Sequence, residues 1–400
     1  MSTVGTYANL HTSDWHLGRS FGDFRLLGDQ RLFLDWLVEV CVDQGVELVA
    51  IAGDLFDRSV PPADAVALLR DVLRELQAHQ IEVVAIAGNH DSAERLAAYD
   101  GLTEASGLVI RGGYDRAGRV DIRTYSDGPL AIAAVPFLDP VLAPIGFESV
   151  DDDRDEQADV GRLHRHTHDS VLRFTLDAVR RQTATAPRSI VLAHAFVAGG
   201  EASDSERELT IGAASMVGAA AFAGFSYSAL GHLHRPQIVD GQVTIRYSGS
   251  PLPYSFSERD DQKQVVLVDM DTAGGVSTTP IPVPVGRRAR LLRGSFDDVM
   301  AHPPLAGDPF VRVELTDPTR VIDAHRRLRA NFPYLAEIAY IGGEQVTDHS
   351  APSSVRMRAL SPLEQVHAFW SANMTEELLA DQEALVIEVL QKLDRDEVGS

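Results

Sequence analysis

Five times in this 400-residue chain a short apolar run ends and a metal-type side chain follows at once. The places are Ser13-Asp14-Trp15-His16, Gly53-Asp54-Leu55-Phe56-Asp57, Gly88-Asn89-His90-Asp91, Ala193-His194-Ala195-Phe196 and Gly231-His232-Leu233-His234. Two of them share one lead-in: Val49-Ala50-Ile51-Ala52-Gly53 and Val84-Ala85-Ile86-Ala87-Gly88. A short apolar run bounded by glycine reads as a buried strand, and the glycine lets the backbone turn sharply and approach a bound group. In an α/β sheet, ligands collect beyond the carboxyl ends of strands. One such place would say little, because a lone strand-end aspartate is commonly a helix cap. Five in series, in the order DxH, GDxxD, GNHD, H and GHxH, require a fold that gathers strand ends around one point.

The intervening chain fits that demand. Residues 8–110 alternate strand and helix: Ala8–Thr12, a helix from about Gly28 to Gln44 closed by Gly45, Glu47–Ala52, a helix opened by Pro61-Pro62, and Ile81–Ala87. Val66, Leu69, Leu73 and Leu76 follow the 3.6-residue period of a helix with one apolar face. Such repeats imply right-handed crossovers and a mostly parallel sheet. Further strands are predicted at Leu130–Val135, Ser189–Ala193, Tyr227–Leu230, Val243–Tyr247 and Gln264–Met270, the last two forming a second sheet with antiparallel pairing. The turn Gly274-Gly275 and the prolines from Pro280 to Pro284 predict a boundary. Beyond it, 285–345 reads strand, short helix, strand, long helix from near Pro318 to Asn331, strand. Ser361-Pro362-Leu363-Glu364 carries a capping box opening the first of two amphipathic helices, near 362–372 and 376–393. These either pack on the body or form a docking arm, and so short a segment is too small to bury that apolar surface alone. The units are therefore 1–278, 285–345 and 355–398.

Histidine nitrogen with carboxylate or amide oxygen, and no thiolate, suits manganese, iron or zinc. Two divalent ions about 4 Å apart and sharing a carboxylate would leave a positive site suited to a phosphate ester. Cys41, the one cysteine, lies on the apolar face of the first helix, so it reads as a core residue and no intrachain disulfide can form. No secretory signal or membrane-length apolar run is visible, which predicts a cytoplasmic protein. The net charge of −22 argues against a generally basic, DNA-coating protein. Its positive charge is almost all arginine, Lys263 and Lys392 being the two lysines. Clusters at Arg287, Arg288, Arg290 and Arg293, and at Arg326, Arg327 and Arg329, are either solvated faces or phosphate contacts.

The five motifs resemble those of the calcineurin-like metallophosphoesterases. That resemblance implies a four-layer sandwich, two facing β-sheets flanked by helices. It gives one metal to Asp14, His16, Asp54 and His234, and the other to Asp54, Asn89, His194 and His232. His90 would serve the scissile phosphate and leaving oxygen, with Asp57 orienting its imidazole through a hydrogen bond. The segments Thr12–Gly18, Gly53–Asp57, Gly231–Gln237 and Arg246–Phe256, with Glu258 downstream, are similar to the SbcD family of bacterial nucleases. The SbcD resemblance implies a Mn²⁺-dependent DNA nuclease acting as a double-strand exonuclease and a hairpin and single-strand endonuclease. It further implies a small α/β cap domain contacting DNA, a C-terminal helical arm gripping an SbcC-type ATPase, a homodimer within a heterotetramer, and a place at the nucleoid. Arg19, Arg287, Arg288 and Arg290 are the candidate DNA contacts. Two rival readings are a small-molecule phosphodiesterase or nucleotidase on the same scaffold, and a metal-free interaction scaffold.

The remaining histidines sort by context. His11, inside the first strand, is expected to hydrogen-bond in the core. His164, His166 and His168 precede a helix and read as surface residues. Asp91 is expected to cap the helix beginning near Ser92, with Glu94 completing a capping box.

Overall fold

All four residues of the strand Leu48–Ile51 are buried. Val49 and Ile51 pack among helical residues such as Phe33, Leu37 and Leu68, whereas Leu48 and Ala50 meet Ile132, Leu192 and Ala229 of another sheet. Side chains alternate across a strand, so an unbroken apolar run means that both faces are covered. That pattern, repeated strand by strand, gives four layers. The computed structural model describes residues 7–125, 127–144, 166–206, 216–341 and 383.

The first sheet runs in the order Val276–Pro282, Gln264–Met270, Tyr7–Thr12, Leu48–Ile51, Glu82–Ile86 and Leu108–Arg111. Its last four strands are parallel. The second runs Gln237–Val239, Gln242–Tyr247, Tyr227–Gly231, Ser189–His194, Gly128–Val135 and Val120–Tyr125, with a parallel centre and antiparallel edges. Helices Leu27–Asp43 and Ala63–Ala78 cover the outer face of the first sheet, and helix His168–Thr183 covers that of the second. Cys41 is fully buried beneath the first helix.

Three sequence expectations change. Val243–Tyr247 and Gln264–Met270 do not share a sheet. The former pairs parallel with Tyr227–Gly231, and the latter returns to the first sheet beside Tyr7–Thr12. Both carry a mainly apolar face, and nothing in either strand specifies which sheet completes its burial. The stretch from Pro280, expected to mark a boundary after residue 278, belongs to the strand Val276–Pro282. Proline is tolerated there because the strand lies at a sheet edge. The long helix expected from Pro318 shrinks to Ala324–Asn331, preceded by Asp323 at φ 56°.

A third, parallel sheet of Ala289–Gly294, Phe310–Leu315 and Leu335–Tyr340 has its own core around Val313, Leu315, Leu328 and Phe332. It joins the body through an aromatic cluster in which Phe21 stacks on Phe310 at 4.5 Å. The acidic run 151–156 and, apart from the single helical residue Glu383, the helices expected within 355–398 lie outside the described residues.

Candidate metal centre

The first two motifs lie side by side because their backbones pair: Asp14 N donates to Gly53 O at 3.0 Å, and His16 N to Asp54 O at 2.9 Å. Asp14, His16, Asp54 and His232 all sit at positive φ, between 43° and 110°. Non-glycine residues are held in that region only where surrounding structure compels them, at roughly 1–3 kcal/mol each, and such residues cluster at functional sites. The shared lead-in of the two repeats has a steric reason. A Cβ on Gly53 would fall 2.2 Å from His194 Nδ1, and one on Gly88 would fall 2.1 Å from Asp54 Oδ1.

The strand ends of both sheets thereby bring together all seven side chains expected to ligate. Asp54 Oδ2 lies 3.5 Å from His16 Nε2 and 3.5 Å from His194 Nε2. On one side of it, His16 Nε2 faces His234 Nε2 at 3.0 Å, and Asp14, His16 and His234 have ligand atoms within 4.8 Å of one another. On the other, Asn89 Oδ1 lies 2.9 Å from His194 Nε2 and 3.2 Å from His232 Nδ1. His194 Nδ1 meets Ala52 O at 2.9 Å, and His232 N donates to Asp14 Oδ1 at 2.9 Å.

The electrostatics fit cations. Burial, and then the neighbouring imidazoles and Arg19, hold His16 well below its ordinary pKa; burial likewise lowers His194 and His232. Neutral imidazoles keep a lone pair free. Burial, reinforced by Asp54, raises the Asp14 carboxyl well above the usual range. His16 Nδ1 and Asn89 Nδ2 are buried without a hydrogen-bond partner. Two imidazole nitrogens facing each other beside two buried carboxylates form a poor site when bare and a good one for divalent cations.

His90 stands edge-on to His16, with ring centroids 4.6 Å apart. Its Nδ1 meets the backbone carbonyl of Asp57 at 2.9 Å. The Asp57 carboxylate turns instead to Arg19, at 3.3 Å, because that guanidinium offers a charge-assisted partner. Asp91 does not cap the helix Ala93–Ala97; Ser92 does. Asp91 accepts from the backbone N–H groups of Leu55, Phe56 and Gly88 at 2.9–3.0 Å, tying the second motif to the third. Three converging donors outcompete one helix end. Burial and then Asp54 push its carboxyl up to about 7.

Sequence reasoning missed several residues behind the ligands. Tyr254 OH donates to Trp15 O at 2.7 Å, and its ring lies 5.2–5.3 Å from those of His16 and His234. Lys263 is buried against Glu258, at 2.5 Å, and Ser205 lies 2.5 Å from His234 Nδ1. His11 is a core hydrogen-bonder, meeting Tyr227 OH at 2.9 Å and Leu230 O at 3.1 Å. His166 and His168 are half-buried rather than on the surface, and the His168 ring lies 5.4 Å from that of Phe137, which neighbours His194. His164 lies outside the described residues.

The four candidate DNA-contacting arginines differ in their freedom. Arg19 is fixed beside the site by Asp57, Ser205 O and the face of Tyr254. Arg287 binds Asp29 Oδ2 at 2.6 Å and stacks on Tyr334 at 4.0 Å, so it latches the third sheet to the body. Arg288 donates to Val283 O at 2.8 Å, and Arg290 is exposed.

Over residues 10–236 the chain matches the family model of calcineurin-like phosphoesterases. The chain belongs to that family. This phosphoesterase is thus a metal-dependent hydrolase of phosphate esters. It is similar to the SbcD component of the SbcCD nuclease of Staphylococcus epidermidis, 28% identical over 394 residues, 98% of this chain and 99% of that one. The SbcD component of the Bacillus subtilis SbcCD nuclease is 38% identical over 264 residues, 65% of each chain. A solved dimetal phosphatase from Danio rerio is 14% identical and covers 69% of the phosphoesterase and 99% of its own length, with a TM-score of 0.40. Among the described residues no helix is long and apolar enough to cross a membrane.

Proposed function

We propose that this phosphoesterase is the DNA nuclease component of an SbcCD-type complex and works with two Mn²⁺ ions. The observation that carries the reading is the Asp54 carboxylate oxygen, 3.5 Å from an imidazole on either side, at the meeting point of five strand-end loops. Asp14, His16, Asp54 and His234 would hold one ion, and Asp54, Asn89, His194 and His232 the other. Bound there, divalent ions supply charge for the phosphate oxygens and ease deprotonation of a water. Water adds to phosphorus as the bond to the leaving sugar oxygen breaks. His90 gives that oxygen a proton: with Nδ1 held by the Asp57 carbonyl, Nε2 is the nitrogen free to exchange one.

The proposal includes exonucleolytic action on duplex ends and endonucleolytic action on hairpins and single strands, at the nucleoid. The third sheet serves as the DNA-contacting cap, with the exposed Arg290 as its candidate contact and Arg19 as the one at the site. Residues 355–398 dock an SbcC-type ATPase, and two copies pair within the assembly. The net charge of −22 supports this division of labour, since an acidic chain gains phosphate affinity by pooling cations with partners.

The test is nuclease activity with Mn²⁺ on labelled duplex and hairpin DNA, alone and with the ATPase and ATP. Wild type should cleave and His90→Ala should not. Cleavage of bis(p-nitrophenyl) phosphate without DNA degradation would point to a small-molecule phosphodiesterase. Fewer than about one Mn²⁺ per chain after loading would overturn the two-metal site itself.

A further inference from the structure

Lys263 Nζ lies 2.9 Å from His234 O, 2.9 Å from Ser250 Oγ and 2.5 Å from Glu258 Oε2. An ammonium has three protons, and here they meet three acceptors. Both Lys263 and Glu258 are buried, and burial without the pairing would favour their neutral forms. The ammonium lies 2.5 Å from Glu258 Oε2 with both side chains buried, and so short a charge-assisted bond holds the carboxylate as the partner anion. Glu258 is therefore an acceptor only.

The protons of the next bonds follow. Ser205 Oγ lies 2.6 Å from Glu258 Oε1 and 2.5 Å from His234 Nδ1. A hydroxyl has one proton, and the ionised carboxylate takes it. The His234–Ser205 contact then requires the imidazole to donate, so His234 carries its proton on Nδ1. The nitrogen left with a lone pair is Nε2, which faces His16 Nε2 within the cluster at 3.0 Å. The loop carrying Ser205 is pinned to the same residue, since His234 N donates to Glu206 Oε1 at 2.7 Å.

We propose that Lys263, Glu258 and Ser205 act as positioning residues, a chain of fixed hydrogen bonds that selects the Nδ1–H tautomer of His234 and presents its Nε2 to a divalent cation. This rests on the metal site proposed above. Outer partners of this kind set ligand tautomer and orientation, and losing one typically weakens metal binding by about 10–100-fold. Lys263 adds a second hold through the His234 carbonyl, so ring and backbone are fixed by one ammonium–carboxylate pair.

The experiment has two readouts on the full-length chain. In the metal-free protein, ¹⁵N-histidine NMR should give the Nδ1–H pattern for His234 in wild type and lose it in Ser205→Ala. Mn²⁺ titration followed by electron paramagnetic resonance should show one ion bound about 10–100-fold more weakly by Ser205→Ala. Ser205→Thr, which restores the hydroxyl, should recover the affinity. Ser257→Ala is the control: its hydroxyl anchors the same loop through Asp204 N at 3.0 Å without touching a histidine. It should bind Mn²⁺ like wild type. A wild-type His234 protonated on Nε2, or a Ser205→Ala protein of unchanged affinity, would overturn the relay. So would equal losses in Ser205→Ala and Ser257→Ala, which would reduce Ser205 to a loop anchor. Wild type showing the Nδ1–H pattern but taking up no Mn²⁺ would instead remove the metal site on which the relay depends.

Discussion

His11 predicts a measurable pH dependence of stability, separate from the metal centre. Leu230 O can only accept, so Nε2 carries the ring proton, and Nδ1 accepts from the Tyr227 hydroxyl. The neutral ring thus ties the first sheet to the second. Burial, aided by Arg246 and opposed by the Leu230 carbonyl, lowers its pKa from 6.5 to about 3. The unfolded chain takes up this proton near pH 6.5 and the folded chain only near pH 3. Stability from neutral His11 is therefore complete above the upper value and falls by about 1.4 kcal/mol per pH unit between the two. At pH 5 the loss is about 2 kcal/mol. His11→Phe keeps the ring and deletes the titration. It strands the Tyr227 hydroxyl and the Leu230 carbonyl, at a pH-independent cost of about 1–3 kcal/mol each. The stability gap between wild type and variant, from urea midpoints in EDTA, should then narrow by about 2 kcal/mol from pH 8 to pH 5. The other buried histidines are common to both proteins and cancel. A gap that stays constant across that range would refute the reasoning.

Asp91→Ala leaves three backbone donors of two site loops without their acceptor, and should lower metal-free stability by about 3 kcal/mol or more. Ser92→Ala, which removes the helix cap, should cost only about 1 kcal/mol in the same urea titration. Gly88→Ala should abolish high-affinity Mn²⁺ uptake, measured by equilibrium dialysis, because the new methyl would lie 2.1 Å from Asp54 Oδ1. Gly28→Ala, a helical site with nothing within 4 Å, should bind metal normally and melt slightly higher. His90→Ala should slow phosphodiester hydrolysis by about 10²–10⁴-fold with metal uptake intact. Asp57→Asn retains the carbonyl that holds His90, so steady-state kinetics should show a loss below about tenfold.

The seven candidate ligands were legible because they stand within a few positions of the end of an apolar run, and a run's end is a local property of the chain. The strands were legible for the same reason, and Gln264–Met270 has the expected bounds. What escaped depends on long-range contacts. His11 and Tyr227 are 216 positions apart, and Asp91 reaches back 36 residues to Leu55. Lys263 looks like an ordinary surface charge, and Glu258 shows only as part of a family pattern with no role, until Ser205 and His234 close around them.

The sequence by itself determined where strands stop and which metal-type side chains stand at their ends, because hydrophobic periodicity and glycine turns act over a few residues. Only the tertiary structure decided which sheet receives Gln264–Met270, that Asp91 joins two loops, and that Arg287 latches the third sheet instead of lying free. Those outcomes depend on which buried donors and acceptors come within 3 Å once the two sheets stack, and a polar side chain carries no mark in the sequence of the partner that burial will give it.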